Sequence, residues 1–179
     1  MRALSRLLVA TGEHAAAAEV VAKHRDLCEG EERARREVEL ASLLLERLGR
    51  PEEAFQALVR ALELLPHDGE AIALLAKLVE RPETRAQAAA VIASEYAATG
   101  DAKNESRALR VLLESEEDTT KRKALYLRLA DVEENKLGAP GAAFDVVLRA
   151  LHAYTGDLAL WGSAADLAAK AGRPTDLAE

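Results

Sequence analysis

The sequence predicts an all-α solenoid, a stack of antiparallel helical hairpins, on three observations. Residues 48–62 (LGRPEEAFQALVRAL) return as residues 137–151 (LGAPGAAFDVVLRAL), with 8 identities in 15 positions at a shift of 89. Turn signals punctuate the chain at short, regular intervals, with scarcely any strand-like alternation between them. Between the turns, apolar residues recur at helical spacing, as in Ala54, Phe55, Leu58, Ala61, Leu62 and Leu65. A repeated helical unit cannot bury its apolar face alone; stacking on its neighbours is what completes the core.

The turns define ten helices in order. Thr11-Gly12 closes the first, and Glu29-Gly30 closes the second, with Cys28 placed near its end. The third stops at Gly49, and Pro51 opens the fourth. Glycine just past a helix end and proline just inside the next is the expected polarity: glycine accepts positive φ, and proline lacks an N–H that the first turn leaves unbonded anyway. Pro66-His67-Asp68-Gly69 separates the fourth from the fifth, which runs over 69–80 and stops at Arg81-Pro82. The sixth ends at Thr99-Gly100-Asp101 and the seventh in the acidic run Glu114, Glu116, Glu117, Asp118. Asp118 or Thr119 caps the eighth helix, where a carboxylate also opposes the positive end of the helix dipole. Gly138 and Pro140 separate the eighth from the ninth, Thr155-Gly156 the ninth from the tenth, and Gly172-Arg173-Pro174 leads into the first turn of an eleventh.

The repeat extends beyond its best-matching segment. Arg33, Leu40 and Ala41 match Arg122, Leu129 and Ala130 at the shift of 89, Thr11-Gly12-Glu13 matches Thr99-Gly100-Asp101 at 88, and Arg81-Pro82 matches Arg173-Pro174 at 92. The unit is therefore a five-helix module of about 90 residues. The whole of 1–179 reads as one solenoid: a first, N-terminally incomplete module over 1–81, a second over 82–172, and the start of a third over 173–179. Such a phase predicts an excised piece of a longer array, with terminal helix faces that invite end-to-end self-association.

Composition narrows the function classes. Only 3% of residues are aromatic against 49% hydrophobic, so Ala, Leu and Val build the core. A net charge of -7 gives no clustered positive face for phosphates, and scarce aromatics offer little for base stacking, so no nucleic-acid partner is expected. The single Cys28 excludes an internal disulfide, and His14, His24, His67 and His152 show no metal-ligand spacing. No apolar run approaches a membrane span, and residues 1–10 lack the features of a signal peptide, which predicts a cytoplasmic location without membrane insertion. Nucleophile–base pairs, phosphate-cradling glycine loops and fixed carboxylate pairs are absent, so the expectation is a chain that is not an enzyme, with no catalytic residue, cofactor or metal site.

Several residues recur between modules and read as packing. Phe55 and Phe144 are equivalent, as are Arg60 and Arg149. The phenylalanines belong in the core; the arginine stems are expected along their helices with the heads in water.

The hairpin over 32–68 resembles the tetratricopeptide repeat: small residues at Leu40-Ala41-Ser42, a turn glycine at Gly49, Ala54 and Ala61 at the following spacings, and Pro66-His67-Asp68 closing the unit. Tyr96 before Gly100 and Trp161 before Gly172 occupy positions where that family favours Tyr and Trp. Two departures stand out. The helices ending at Gly49 and Gly138 are one residue longer than the family spacing, and the helix over 69–80 has no second helix of its own before Pro82. The pattern is similar to divergent long arrays of large bacterial proteins, and 17 Arg against 7 Lys points to a GC-rich bacterial source.

The resemblance implies a right-handed superhelix whose concave groove, lined by the first helix of each hairpin, holds a partner peptide or helix. Alignment on the turn glycines gives Arg6, Arg35, Ser42, Gln87, Ser94, Asp131 and Asp166 as groove residues. The family's basic clamp for acidic C-terminal peptides is absent. The implied function is a non-catalytic protein-protein interaction scaffold in a larger bacterial protein; the alternatives are a structural spacer or a regulatory appendage of a multidomain enzyme.

Overall fold

The computed structural model describes residues 2–177, so Met1 and the last two residues of the third-module start, Ala178 and Glu179, lie outside the described residues. Among the described residues ten α-helices follow one another: α1 Arg2–Ala10, α2 His14–Arg25, α3 Gly30–Glu46, α4 Pro51–Leu64, α5 Gly69–Leu78, α6 Arg85–Thr99, α7 Ala102–Ser115, α8 Thr119–Asp131, α9 Pro140–Ala153 and α10 Leu158–Ala171. A π-helical turn, Val132–Lys136, extends α8, and a 3-10 turn, Pro174–Leu177, stands where an eleventh helix would begin. No strand occurs among the described residues, and the fold class is the all-α solenoid of consecutive helical hairpins.

By compactness the chain divides into Met1–Glu95 and Tyr96–Glu179, inside α6. In the first unit α1 packs on α2, α2 on α3, α3 on α4 and α4 on α5, with α5 also reaching α3. Ala17, Ala34, Ala41, Ala54, Ala57 and Ala61 are almost wholly buried in it, and small side chains at these crossings let helix axes approach closely. In the second unit α7 packs on α8, α8 on α9 and α9 on α10; the π-helical turn touches α7 and α9, and the 3-10 turn folds onto α10.

The glycine punctuation has one geometry in two widths. At Gly12, Gly100 and Gly172 the next N–H bonds back five residues: Glu13 to Leu8 O, Asp101 to Tyr96 O and Arg173 to Ala168 O, at 2.8–2.9 Å. This is the Schellman end, which satisfies a carbonyl the helix leaves unbonded. At Gly49 and Gly138 the loop holds one more residue. Arg50 N–H bonds Leu44 O and Ala139 N–H bonds Glu133 O, both at 2.8 Å, while Leu48 and Leu137 bond back to Leu43 and Val132. The extra residue expected at these two helix ends is thus absorbed as a π-type turn, and φ of +62° at Gly49 and +63° at Gly138 is a conformation that glycine alone adopts at little cost.

Helix starts are capped by aspartates. Asp68 accepts from Ala71 N (2.8 Å), Asp101 from Asn104 N (3.1 Å), Asp118 from Thr120 N and Lys121 N (2.9 Å each), and Asp157 from Ala159 N and Leu160 N. Asp118, one of the two caps expected for α8, has its carboxyl held below the ordinary value by the backbone N–H of Lys121 first and of Thr120 after it.

Phe144 is fully buried and Phe55 nearly so. Trp161 is 43% exposed, its indole Nε1 donating to Thr155 O at 3.2 Å. Two expectations are corrected. Cys28 lies in the turn between α2 and α3, because α2 unwinds after Arg25 into tight bonds from Leu27 N to His24 O and Cys28 N to Arg25 O. The Arg60 head is not free in water: Nε and Nη2 grip both oxygens of the fully buried Glu37 at 2.9 and 3.1 Å.

Glu37 has relatives in the second unit. Glu105, almost wholly buried, accepts from Arg128 (2.9 Å) and Lys136 (2.8 Å), and buried Glu133 accepts from Ser106 and Arg110 at 2.6 Å each. At Glu105 desolvation is the largest single influence and pushes the carboxyl upward, but Lys136 and Arg128 together outweigh it and hold the carboxyl below its ordinary value. A lowered folded-state value means the stabilisation is present at neutral pH and is lost as pH falls through it. Denaturant titrations are expected to show stability declining below about pH 4.5, the ordinary value for this carboxyl, and a flatter decline in Glu105→Gln. An unchanged slope in that variant would count against the ion pair.

Candidate functional site

Three of the seven groove residues meet in one place. Arg6 from α1 and Arg35 and Ser42 from α3 line a cavity of about 320 Å³, with Val9 and Glu39 on the same helices and Glu70 at the start of α5. Residues 35, 39 and 42 share a face of α3 because about 3.6 residues complete a turn. The alternate helices α1, α3 and α5 supply the walls.

The charges in this cavity fall into two sets. Arg35 pairs with Glu31 one turn earlier on the same exposed helix face, and Glu39 is held by Arg36 and accepts from Ser5 Oγ at 3.5 Å. Ser42 Oγ donates to Glu46 at 3.3 Å. Arg6 and Glu70, by contrast, have no ion-pair or hydrogen-bonding side-chain partner among the described residues, so the cavity offers one uncommitted cation on α1 and one uncommitted carboxylate on α5. Sequence alignment on the turn glycines missed Ser5, Glu39 and Glu70; the last lies on the helix that departs from the family hairpin.

The other four residues stand elsewhere. Gln87 lines a separate cleft of about 710 Å³ in the first unit, between α2, α3, α4 and the start of α6. Ser94 is exposed and bonds back to Ala90 O. Asp131 is exposed and accepts from Asn135 at 2.8 Å, and Asp166 is exposed on α10. Among the described residues no group of three or more His, Cys, Asp or Glu could hold a metal ion, and no helix is long and apolar enough to cross a membrane.

Neither the known family models nor the curated proteins include a match to this chain. Among solved structures, the chain is similar to the Podosopora anserina putative kinesin light chain nearly identical TPR-like repeats, at 19% identity and a TM-score of 0.45, covering 97% of this chain and 86% of that one. A single-site variant of the same repeats aligns at 19% identity and a TM-score of 0.43, with the same coverage.

Proposed function

We propose that the chain is a non-catalytic protein-protein interaction scaffold, a tetratricopeptide-like module of a larger bacterial protein, that holds a partner peptide or helix against the α1–α3–α5 face. The observation that carries this reading is the meeting of Arg6, Arg35 and Ser42 in one cavity. A preformed groove on packed helices leaves little backbone to order on binding, so affinity is not spent on folding the receptor. The uncommitted Arg6 and Glu70 give the groove a cationic and an anionic wall, which fixes the direction of a bound segment.

Charge reversal tests it. The Arg6→Glu, Arg35→Glu double variant is expected to lose a partner captured by the wild-type chain at physiological salt by about tenfold or more, the scale of losing charge-assisted contacts. A captured set indifferent to both substitutions would favour a spacer with no ligand of its own.

A further inference from the structure

The 710 Å³ cleft of the first unit lies on the face of α3 opposite the groove, lined by Leu40 and Leu44 together with Leu48 of the turn that follows. Ala18 and Ala22 of α2 join Leu44 in its apolar floor. The repeat shows what this place looks like when the chain fills it itself. At the shifts of 88 and 89, Ala18, Ala22 and Leu44 correspond to Ser106, Arg110 and Glu133. These three form a network of the second unit, in which buried Ser106 Oγ and half-exposed Arg110 Nη2 both donate to buried Glu133 at 2.6 Å. Two short side chains and a leucine in the first module thus stand where the second inserts a guanidinium and its carboxylate.

The cleft charges say what would enter. Each arginine lining it is already paired: Arg25 and Arg60 with Glu37, and Arg50 with Glu53. Glu19 on α2, Glu52 on α4 and Glu83 before α6 also line it, and none has an ion-pair partner among the described residues. Their second-module equivalents, Arg107, Gly141 and Thr175, carry no negative charge.

We propose that this cleft docks an amphipathic helix of another protein, with apolar residues on the Ala18–Ala22–Leu44 floor and Lys or Arg side chains against Glu19, Glu52 and Glu83. A volume of this size accepts several side chains, and rim carboxylates select the sign of the partner.

The probe is a fluorescent 14-residue Leu/Lys amphipathic helix, with its Leu/Glu counterpart as the opposite charge, titrated into the full chain. The expected result is binding of the Leu/Lys peptide with amide shift changes confined to α2, α3, α4 and the start of α6. Two variants are each expected to weaken it about tenfold or more: Ala18→Ser, Ala22→Arg, Leu44→Glu, which imports the second-module plug, and Glu19→Lys, Glu52→Lys, Glu83→Lys, which only touches exposed positions. A control with the same change of net charge, Glu29→Lys, Glu63→Lys, Glu117→Lys, is expected to bind within about threefold of wild type. Absence of binding, shift changes elsewhere, equal loss in the control, equal affinity for the Leu/Glu peptide, or a second copy of the chain occupying the cleft would each overturn the proposal.

Discussion

Phe144→Ala is expected to destabilise the chain by about 3 to 5 kcal/mol, the range for emptying a fully buried aromatic site. Phe144 on α9 has no exposed surface, and the Arg173 guanidinium lies 4.9 Å from its ring centroid. Truncation therefore removes the transfer free energy of the ring, opens a cavity between helices that are already close, and deprives Arg173 of its aromatic partner. Its equivalent Phe55 retains 8% exposure, and Phe55→Ala is expected to fall toward the lower end of the same range. Urea titrations read both values. A loss below about 1 kcal/mol at Phe144 would show that the repeated phenylalanine is not the packing residue its recurrence implies.

The second large effect is at the buried ion pair of α3 and α4. Arg60→Ala removes both close donors from Glu37 and leaves it with Arg25 at 3.7 Å. A buried carboxylate deprived of its partner costs about 3 to 5 kcal/mol; the residual Arg25 and the half-exposed Arg60 head reduce the expectation to about 2 to 3 kcal/mol. The sign reverses when both charges are removed. Glu37→Leu with Arg60→Met is expected to be near neutral or stabilising, because an apolar pair carries no desolvation cost. The double-mutant cycle separates the pair from packing, and additive single substitutions would contradict it.

How much of this was legible depends on what kind of interaction each residue makes. Helix ends were legible because Gly49, Gly138 and Gly172 obey a local backbone rule: only glycine takes the positive φ of the cap cheaply. The extra residue before Gly49 and Gly138 was legible as spacing, while its form, a π-type turn, was not. Cys28 was misplaced because α2 ends without a glycine, in overlapping short-range bonds that leave no sequence mark.

The buried glutamates were missed because a charged residue on a helix reads as solvent-facing. A signal was nonetheless present: Glu37 and Arg60, Glu105 and Arg128, and Arg110 and Glu133 are all 23 residues apart. That separation carries the chain up one helix, around a turn and back to the same level of the next. Of the candidate groove, Arg6, Arg35 and Ser42 could be read from helix phase, since they recur at fixed distances from turn glycines. Glu70 could not, because its helix has no family counterpart to supply the phase.

The most direct test of the scaffold reading is site-specific photocrosslinking from the intact chain. A photoreactive residue is placed in turn at Arg35, at Ser42 and at the exposed Glu117, and adducts are identified by mass spectrometry. The account predicts one partner protein crosslinked from Arg35 and Ser42, absent from Glu117 and lost with Arg6→Glu. Equal yields from all three positions, or adducts that survive the Arg6 reversal unchanged, would contradict a binding groove on the α1–α3–α5 face.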